Sequence, residues 1–226
     1  MTMRLLLVDD HKIVRDGIRS LLEEEDDLAV VGEAGQGQEA VSLCRRLSPD
    51  LVVMDVSMPG LNGIEATRQI VADSAGVRVM ALSMHRDPRF VAGILEAGAK
   101  GYLIKDCSAR ELVSAIRQVG AGRTYISPGI ADIVVDGFLN RLDLDQASLP
   151  ASVLSPRERE VLQLIAEGHN VKQVAERLCL SPKTVETHRR NIMEKLGLDN
   201  LVDLIRYAIR EGVISLDNWL DKPYPA

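Results

Sequence analysis

Aromatic side chains are scarce in this sequence of 226 residues: two Phe, four Tyr and one Trp, 3% in all. Its cores must therefore be assembled from Leu, Ile, Val, Met and Ala, which dominate an apolar content of 46%. No apolar run approaches the length of a membrane-spanning helix, which argues for a soluble chain with no membrane partner. The first such run, Leu5-Leu6-Leu7-Val8, stops at Asp9-Asp10 and is too short for the apolar region of a signal peptide. Cysteine is also sparse. Cys44, Cys107 and Cys179 are odd in number and far apart, which speaks against a disulfide framework and suits reduced thiols in a cytoplasm. Each reads as a small packing residue.

Basic charge is in deficit, with a net charge of −6, but the deficit is uneven. Residues 1–122 carry 14 Lys and Arg against 18 Asp and Glu, whereas residues 151–226 carry 11 of each. Within the latter, Lys183, Arg189, Arg190 and Lys195 face only Glu186 and Glu194 over residues 181–198. A local basic face governs attraction to a polyanion more than the total does.

What is present is alternation. Residues 1–121 read as strands over 5–8, 28–32, 51–54, 77–82 and 101–104, separated by helical patterns over 12–24, 38–47, 64–72, 88–97 and 108–119. Ser108 and Glu111 stand at capping-box spacing before the last helix. Five strands alternating with five helices predict an α/β doubly wound domain with a five-stranded parallel sheet. Ligands of such sheets sit at the strands' carboxyl ends, where strand order reverses.

The polar residues predicted at that edge form a set. Asp9 and Asp10 follow the first strand, Asp55 the third, Ser83 the fourth and Lys105 the fifth. Asp55 ends the unbroken apolar run Leu51–Met54, and Pro59-Gly60 forces a turn just beyond it. Neighbouring carboxylates repel one another unless a cation joins them. Oxygen donors with water suit Mg2+, and a carboxylate beside that ion can attack a phosphoryl donor to form an acyl phosphate. Lys105 would offset charge on the transferring group, and Ser83 would donate a hydrogen bond to it.

On these residues the segment resembles the receiver domain of bacterial two-component response regulators. The resemblance implies that Asp55 is the phosphoacceptor, that Asp9, Asp10, Asp55 and the backbone carbonyl of Ser57 hold Mg2+, and that Ser83, Tyr102 and Lys105 stabilise the phosphoryl group and relay its arrival. Two positions depart from the family pattern. Ser83 stands where threonine is common, and Asp106 rather than proline follows Lys105. A cis bond without proline costs roughly 2.5–4 kcal/mol, so the Lys105–Asp106 peptide is predicted trans.

Residues 122–150 read as a linker, with a helical pattern over 130–142 and a polar stretch after it. Residues 151–214 predict an all-α domain of four helices over 156–167, 171–178, 183–196 and 201–210. Ser155, Pro156 and Glu158 supply a capped start, and the break Leu180-Ser181-Pro182 separates two short helices, the second basic: a helix-turn-helix arrangement. Val185, Ile192 and Leu196 share one stripe of the third helix, while Lys183, Glu186, Thr187 and Arg190 lie opposite. The fourth helix is apolar nearly all round, more than one core contact requires. Trp219, in the tail 215–226, is expected to pin that tail to a domain surface.

Leu154–Leu162, Leu180–His188 and Lys195-Leu196-Gly197 are similar to the LuxR-type DNA-binding domain, and the whole chain resembles the NarL/FixJ class of response regulators. The resemblance implies base contacts by Glu186, Thr187 and Arg190, phosphate contacts by Ser181, Lys183, Thr184 and His188, a homodimer on paired DNA half-sites, and a sensor histidine kinase as phosphoryl donor. It implies no enzymatic turnover beyond the receiver's own phosphorylation and dephosphorylation. One alternative is a phosphohydrolase with Asp9 as nucleophile, but such enzymes place a second acid two residues later, where this chain has His11. Another is a DNA-binding regulator whose receiver acts without phosphorylation, against which the complete acidic set speaks.

Overall fold

A computed structural model describes residues 2–74, 76–134 and 153–214, and the chain divides into two compact units, Met1–Leu144 and Asp145–Ala226. In the first unit the strands are β1 (Met3–Val8), β2 (Leu28–Ala34), β3 (Leu51–Asp55), β4 (Arg78–Ser83) and β5 (Gly101–Ile104). The helices between and after them are α1 (Lys12–Glu23), α2 (Gly37–Leu47), α3 (Gly63–Asp73), α4 (Pro88–Glu96) and α5 (Ala109–Gly120). All strand pairs are parallel, in the order β2-β1-β3-β4-β5. The order reverses between β1 and β3, which puts the crevice at the ends of the two strands that lead to Asp9 and Asp55.

Strand periodicity sorts the core into two layers. Leu6, Val8, Val52, Met54, Val79, Ala81 and Tyr102 pack against α2, α3 and α4, through residues such as Ala40, Ile70 and Ile94. Leu5, Leu7, Leu51, Val53, Met80 and Leu103 face the other way, onto Leu22 of α1 and Leu112, Ile116 and Val119 of α5. Each Leu, Ile or Val so buried contributes about 1.5–3 kcal/mol. This is why β1 and β3 read as continuous apolar runs rather than alternating ones.

The expected five-stranded sheet has six strands. Tyr125–Ile126 (β6) pairs in parallel with β5, and residues 128–134 are helical (α6). Ile130 is fully buried in the same layer as Tyr102, so the segment expected to begin a linker at 122 instead completes the first unit's sheet edge. Two residues are too short for a periodicity signal, and Ser127-Pro128-Gly129 looks like punctuation. The Ser108–Glu111 box is also only half formed. Ser108 accepts the Glu111 amide, but the Glu111 carboxylate takes the Tyr125 hydroxyl at 2.9 Å. β6 thus supplies a partner for the carboxylate that the local spacing does not anticipate. The rest of the expected linker and Trp219 lie outside the described residues.

In the second unit α7 (Pro156–Ala166), α8 (Val171–Arg177), α9 (Pro182–Leu196) and α10 (Leu201–Arg210) surround Val161, Leu162, Val174, Val185, Ile192, Leu204 and Ala208. Each helix start carries a side-chain cap: Ser155 on Glu158, Asn170 on Lys172 and Gln173, Ser181 on Thr184 and Asn200 on Asp203. Ser155 and Glu158 form the reciprocal box that the sequence predicts. Gly197, at φ 63°, ends α9 in the left-handed conformation that glycine accepts without penalty. No described helix is long and apolar enough to cross a membrane.

Candidate functional site

Asp55 lies at the end of a strand that is buried throughout, and it is itself only 4% exposed. The turn after it is held tightly. Gly63, first residue of α3, donates its N–H to the Val56 carbonyl at 2.9 Å, and a Cβ there would come within 1.9 Å of the Asp55 carbonyl oxygen. Gly60 turns the chain at φ 83°. The helix can return beneath Asp55 only because that position is glycine.

Around this carboxylate the predicted set converges. Ligand atoms of Asp9, Asp10, His11 and Asp55 lie within 4.8 Å of one another. Lys105 Nζ stands 2.6 Å from Asp9 Oδ2 and 3.1 Å from Asp55 Oδ2. The lysine is brought there by the sheet, since the Lys105 amide donates to the Ser83 carbonyl at 2.9 Å and so extends the β4–β5 pairing. The described residues contain no cis peptide, and the Lys105–Asp106 bond is trans. Burial pushes the Asp55 carboxyl up to a pKa of about 6; Lys105 pulls against this, while Asp9 and Asp10 add repulsion. Burial opposes the Lys105 ammonium, yet the charges of Asp55 and Asp9 raise its pKa above the ordinary lysine value.

Ser83 is fully buried; its hydroxyl oxygen accepts the His85 amide at 3.1 Å, and its side chain stands within hydrogen-bond reach of the Tyr102 hydroxyl. Tyr102 is buried too, with its hydroxyl donating to the His85 carbonyl at 2.8 Å. His85 also meets the Ser57 hydroxyl at 2.8 Å through Nε2, and its ring stacks on Phe90 at 4.5 Å. It thus joins the β3–α3 turn to the β4–α4 turn. The sequence reading missed both His85 and His11; each is an isolated histidine in a loop, which carries no spacing signal.

The donor set suits a hard cation. Asp9 Oδ2 and Asp10 Oδ1 are buried and face only the Lys105 ammonium and His11 Nδ1, at 2.6 and 2.9 Å. Carboxylate oxygens in this state are what an oxygen-seeking divalent ion requires.

On α9 the two faces fall as expected. Val185 and Ile192 are fully buried and Leu196 is half-buried against the core, while Lys183, Glu186, Thr187 and Arg190 are exposed. Ser181 and Thr184 share a 2.8 Å hydroxyl contact at the helix start, and His188 is half-buried on its flank. The Lys195 ammonium reaches the buried Glu158 carboxylate at 2.7 Å, tying the end of α9 to the start of α7. Cys179, at φ 52°, makes the left-handed step between α8 and α9. On α10, Leu204, Tyr207 and Ala208 are buried, whereas Leu201 and Val202 are 44% and 60% exposed.

Comparison with known proteins agrees with this division. Residues 5–117 match the response regulator receiver domain, and residues 152–208 match the luxR family of bacterial regulatory proteins. The chain is 40% identical to the response regulator UvrY of Escherichia coli K12 over 215 residues, covering 95% of this chain and 97% of UvrY. It is 41% identical to the response regulator GacA of Pseudomonas aeruginosa over 212 residues, covering 94% and 98%. Among solved structures, one of two RcsB dimers bound to two parallel DNAs is 27% identical with a TM-score of 0.57, covering 93% of this chain and 99% of that one. With a sheet-edge acidic site in one unit, a capped helix-turn-helix in the other and relatives matching both along their length, the chain belongs to the two-component response regulators of the NarL/FixJ class.

Proposed function

We propose that Asp55 is the residue phosphorylated in this regulator, by a sensor histidine kinase, and that its phosphorylation controls DNA binding by α9. The observation that carries this is the Lys105 ammonium standing between Asp9 and Asp55 at the point where strand order reverses. An Asp55 carboxylate oxygen attacks the phosphorus of a phosphohistidine. The P–N bond breaks as the P–O bond of an acyl phosphate forms, and the imidazole leaves with a proton. Lys105 neutralises charge on the incoming group, and the Ser83 hydroxyl turns to donate to one of its oxygens. Mg2+, held by Asp9, Asp10, Asp55 and the Ser57 carbonyl, would supply charge neutralisation and in-line positioning.

Once Ser83 turns toward the phosphoryl group, the His85 amide loses its acceptor and the β4–α4 turn rearranges, carrying the Tyr102 contact with it. That shift releases the DNA-binding domain or promotes a homodimer, with exposed Leu201 and Val202 of α10 supplying apolar surface for the latter. On DNA, Glu186, Thr187 and Arg190 face base edges, and Ser181, Lys183, Thr184 and His188 face phosphates, over paired half-sites. Domain limits of 1–121, 151–214 and 215–226, with 122–150 as the joint, belong to the same reading, the joint now contributing β6 to the receiver.

The test uses acetyl phosphate with Mg2+. Wild type gains one phosphoryl mass and Asp55→Asn gains none. Incorporation unchanged in Asp55→Asn would overturn the assignment. Wild-type DNA affinity that ignores beryllofluoride would instead support a regulator whose receiver acts without phosphorylation.

A further inference from the structure

We propose that Arg15 is a positioning residue for the divalent-cation site, holding the Asp9–Asp10 turn in ligating geometry before the ion arrives. The inference rests on the metal reading above. Asp9 and Asp10 sit on the turn between β1 and α1, where Asp9 Oδ1 accepts the His11 amide at 2.8 Å. His11, the N-cap of α1, makes no side-chain capping bond, and the first turn of the helix has no acidic residue. The main chain of Asp9 is held from inside the helix as well. Arg15 Nη1 donates to the Asp9 carbonyl at 2.5 Å, while its Nε donates to Glu33 Oε2 at 3.3 Å. Glu33 is held in turn by the Arg19 guanidinium through its other oxygen. Next to Glu33, Ala34 accepts the Asp9 amide at 3.1 Å. The main chain of Asp9 is thereby clamped at both its N–H and its C=O to the end of β2.

The clamp has an electrostatic side. Arg15 brings a cation against the Asp9 carbonyl, on the same turn as the acidic pair, while Arg19 is shared between Glu33 and Glu23. The Arg15 charge eases the mutual repulsion of Asp9, Asp10 and Asp55. Arginine is required by the geometry, because a planar fork can reach a carbonyl and a carboxylate at once, and a lysine ammonium on a flexible stem cannot hold both in the same way. Arg15 is only 14% exposed at its side chain, so its rotamer is set by packing as well as by its partners.

Groups that orient metal ligands without touching the metal typically set affinity by 10–100-fold. The experiment follows the rise in thermal unfolding midpoint of the full chain with MgCl2, which yields the half-saturating Mg2+ concentration. Arg15→Ala is expected to raise that concentration about tenfold or more, Arg15→Lys by less, and Glu33→Gln in the same direction. A purely structural arginine would lower the midpoint without metal and leave the Mg2+ dependence unmoved, and that result in a folded Arg15→Ala protein overturns the proposal. Asp10→Asn serves as the reference. If wild type and Asp10→Asn respond alike to Mg2+, the metal reading itself fails, an outcome distinct from failure of the Arg15 assignment.

Discussion

Ser127 Oγ accepts the backbone N–H of Ile104 at 3.3 Å inside the core, 23 residues away in sequence. The Ser127 amide also donates to the Tyr102 carbonyl at 2.9 Å. One serine therefore fixes two backbone groups of β5, the strand that carries Tyr102 and leads to Lys105. It does so from the first residue after β6, at the start of the segment leading toward the DNA-binding unit. Ser127→Ala leaves the Ile104 amide buried without its side-chain acceptor, at a cost of about 1–3 kcal/mol. A lower urea midpoint is expected, with faster hydrogen exchange at Ile104. Unchanged exchange there would show that the contact does not hold β5.

Asp55 links stability to pH. Its pKa is about 6 in the folded chain, chiefly through burial, against the ordinary aspartate value of 3.8. Between these values the native state binds the proton more tightly than the unfolded chain, so stability falls as pH rises from about 4 to about 6 and stays lower above. The ionised carboxylate then costs on the order of 2–3 kcal/mol in the metal-free protein. Asp55→Asn removes that cost, and Lys105 keeps Asp9 at 2.6 Å. The variant is expected to unfold at higher urea than wild type at pH 8 without Mg2+, with the gap closing near pH 4. Parallel pH profiles for the two proteins would contradict it.

Gly63→Ala tests the packing beneath the turn that follows Asp55. The added methyl overlaps the Asp55 carbonyl at 1.9 Å, and the neighbour is backbone that has no rotamer to yield. Overpacking of this kind costs about 1–3 kcal/mol. Because relief requires moving Asp55, the phosphorylation rate with acetyl phosphate should fall along with the unfolding midpoint. A destabilised variant that is phosphorylated at the wild-type rate would show that the strain is absorbed by α3 alone.

The second unit has its own pH dependence. Burial would raise the Glu158 carboxyl, but Lys195 and the cap on Ser155 outweigh it and hold the pKa below the usual 4.5. The unfolded chain therefore binds this proton more readily. The stabilisation is complete above pH 4.5 and drains away as pH falls through the depressed native value. In Glu158→Gln, α7 amides of the full chain should exchange faster than in wild type at pH 7, with the difference shrinking as pH drops below 4. A difference that persists undiminished at low pH would assign the effect to shape rather than charge.

Most of both domains was legible because the signals are local. The runs around Leu51–Met54, the Ser155 box, the Ser181 cap and the stripe of Val185, Ile192 and Leu196 each lie within one element, where side-chain period and capping chemistry act. The acidic set was legible one step further, because a parallel sheet brings all its strand ends to one edge. β6 was not legible: two residues carry no period, and Tyr125–Ile126 become a strand only because β5 offers an unpaired edge and Ile130 finds a core already built. Ser108 and Glu111 show the same limit, since the capping box was correct in spacing but Tyr125 competed for the carboxylate.

The amino-acid order alone determined the two element patterns, the positions of Asp9, Asp10, Asp55, Ser83 and Lys105 at strand ends, and the polar face of α9, because these follow from periodicity and backbone chemistry over a few residues. Only the tertiary structure decided that His85 bridges the β3–α3 and β4–α4 turns, that Arg15 pairs with Glu33 of β2, and that Ser127 closes onto β5. Those relationships join residues 18 to 28 positions apart. Their partners are chosen by the register of the sheet and by which faces are buried, and neither is written in any single stretch of the chain.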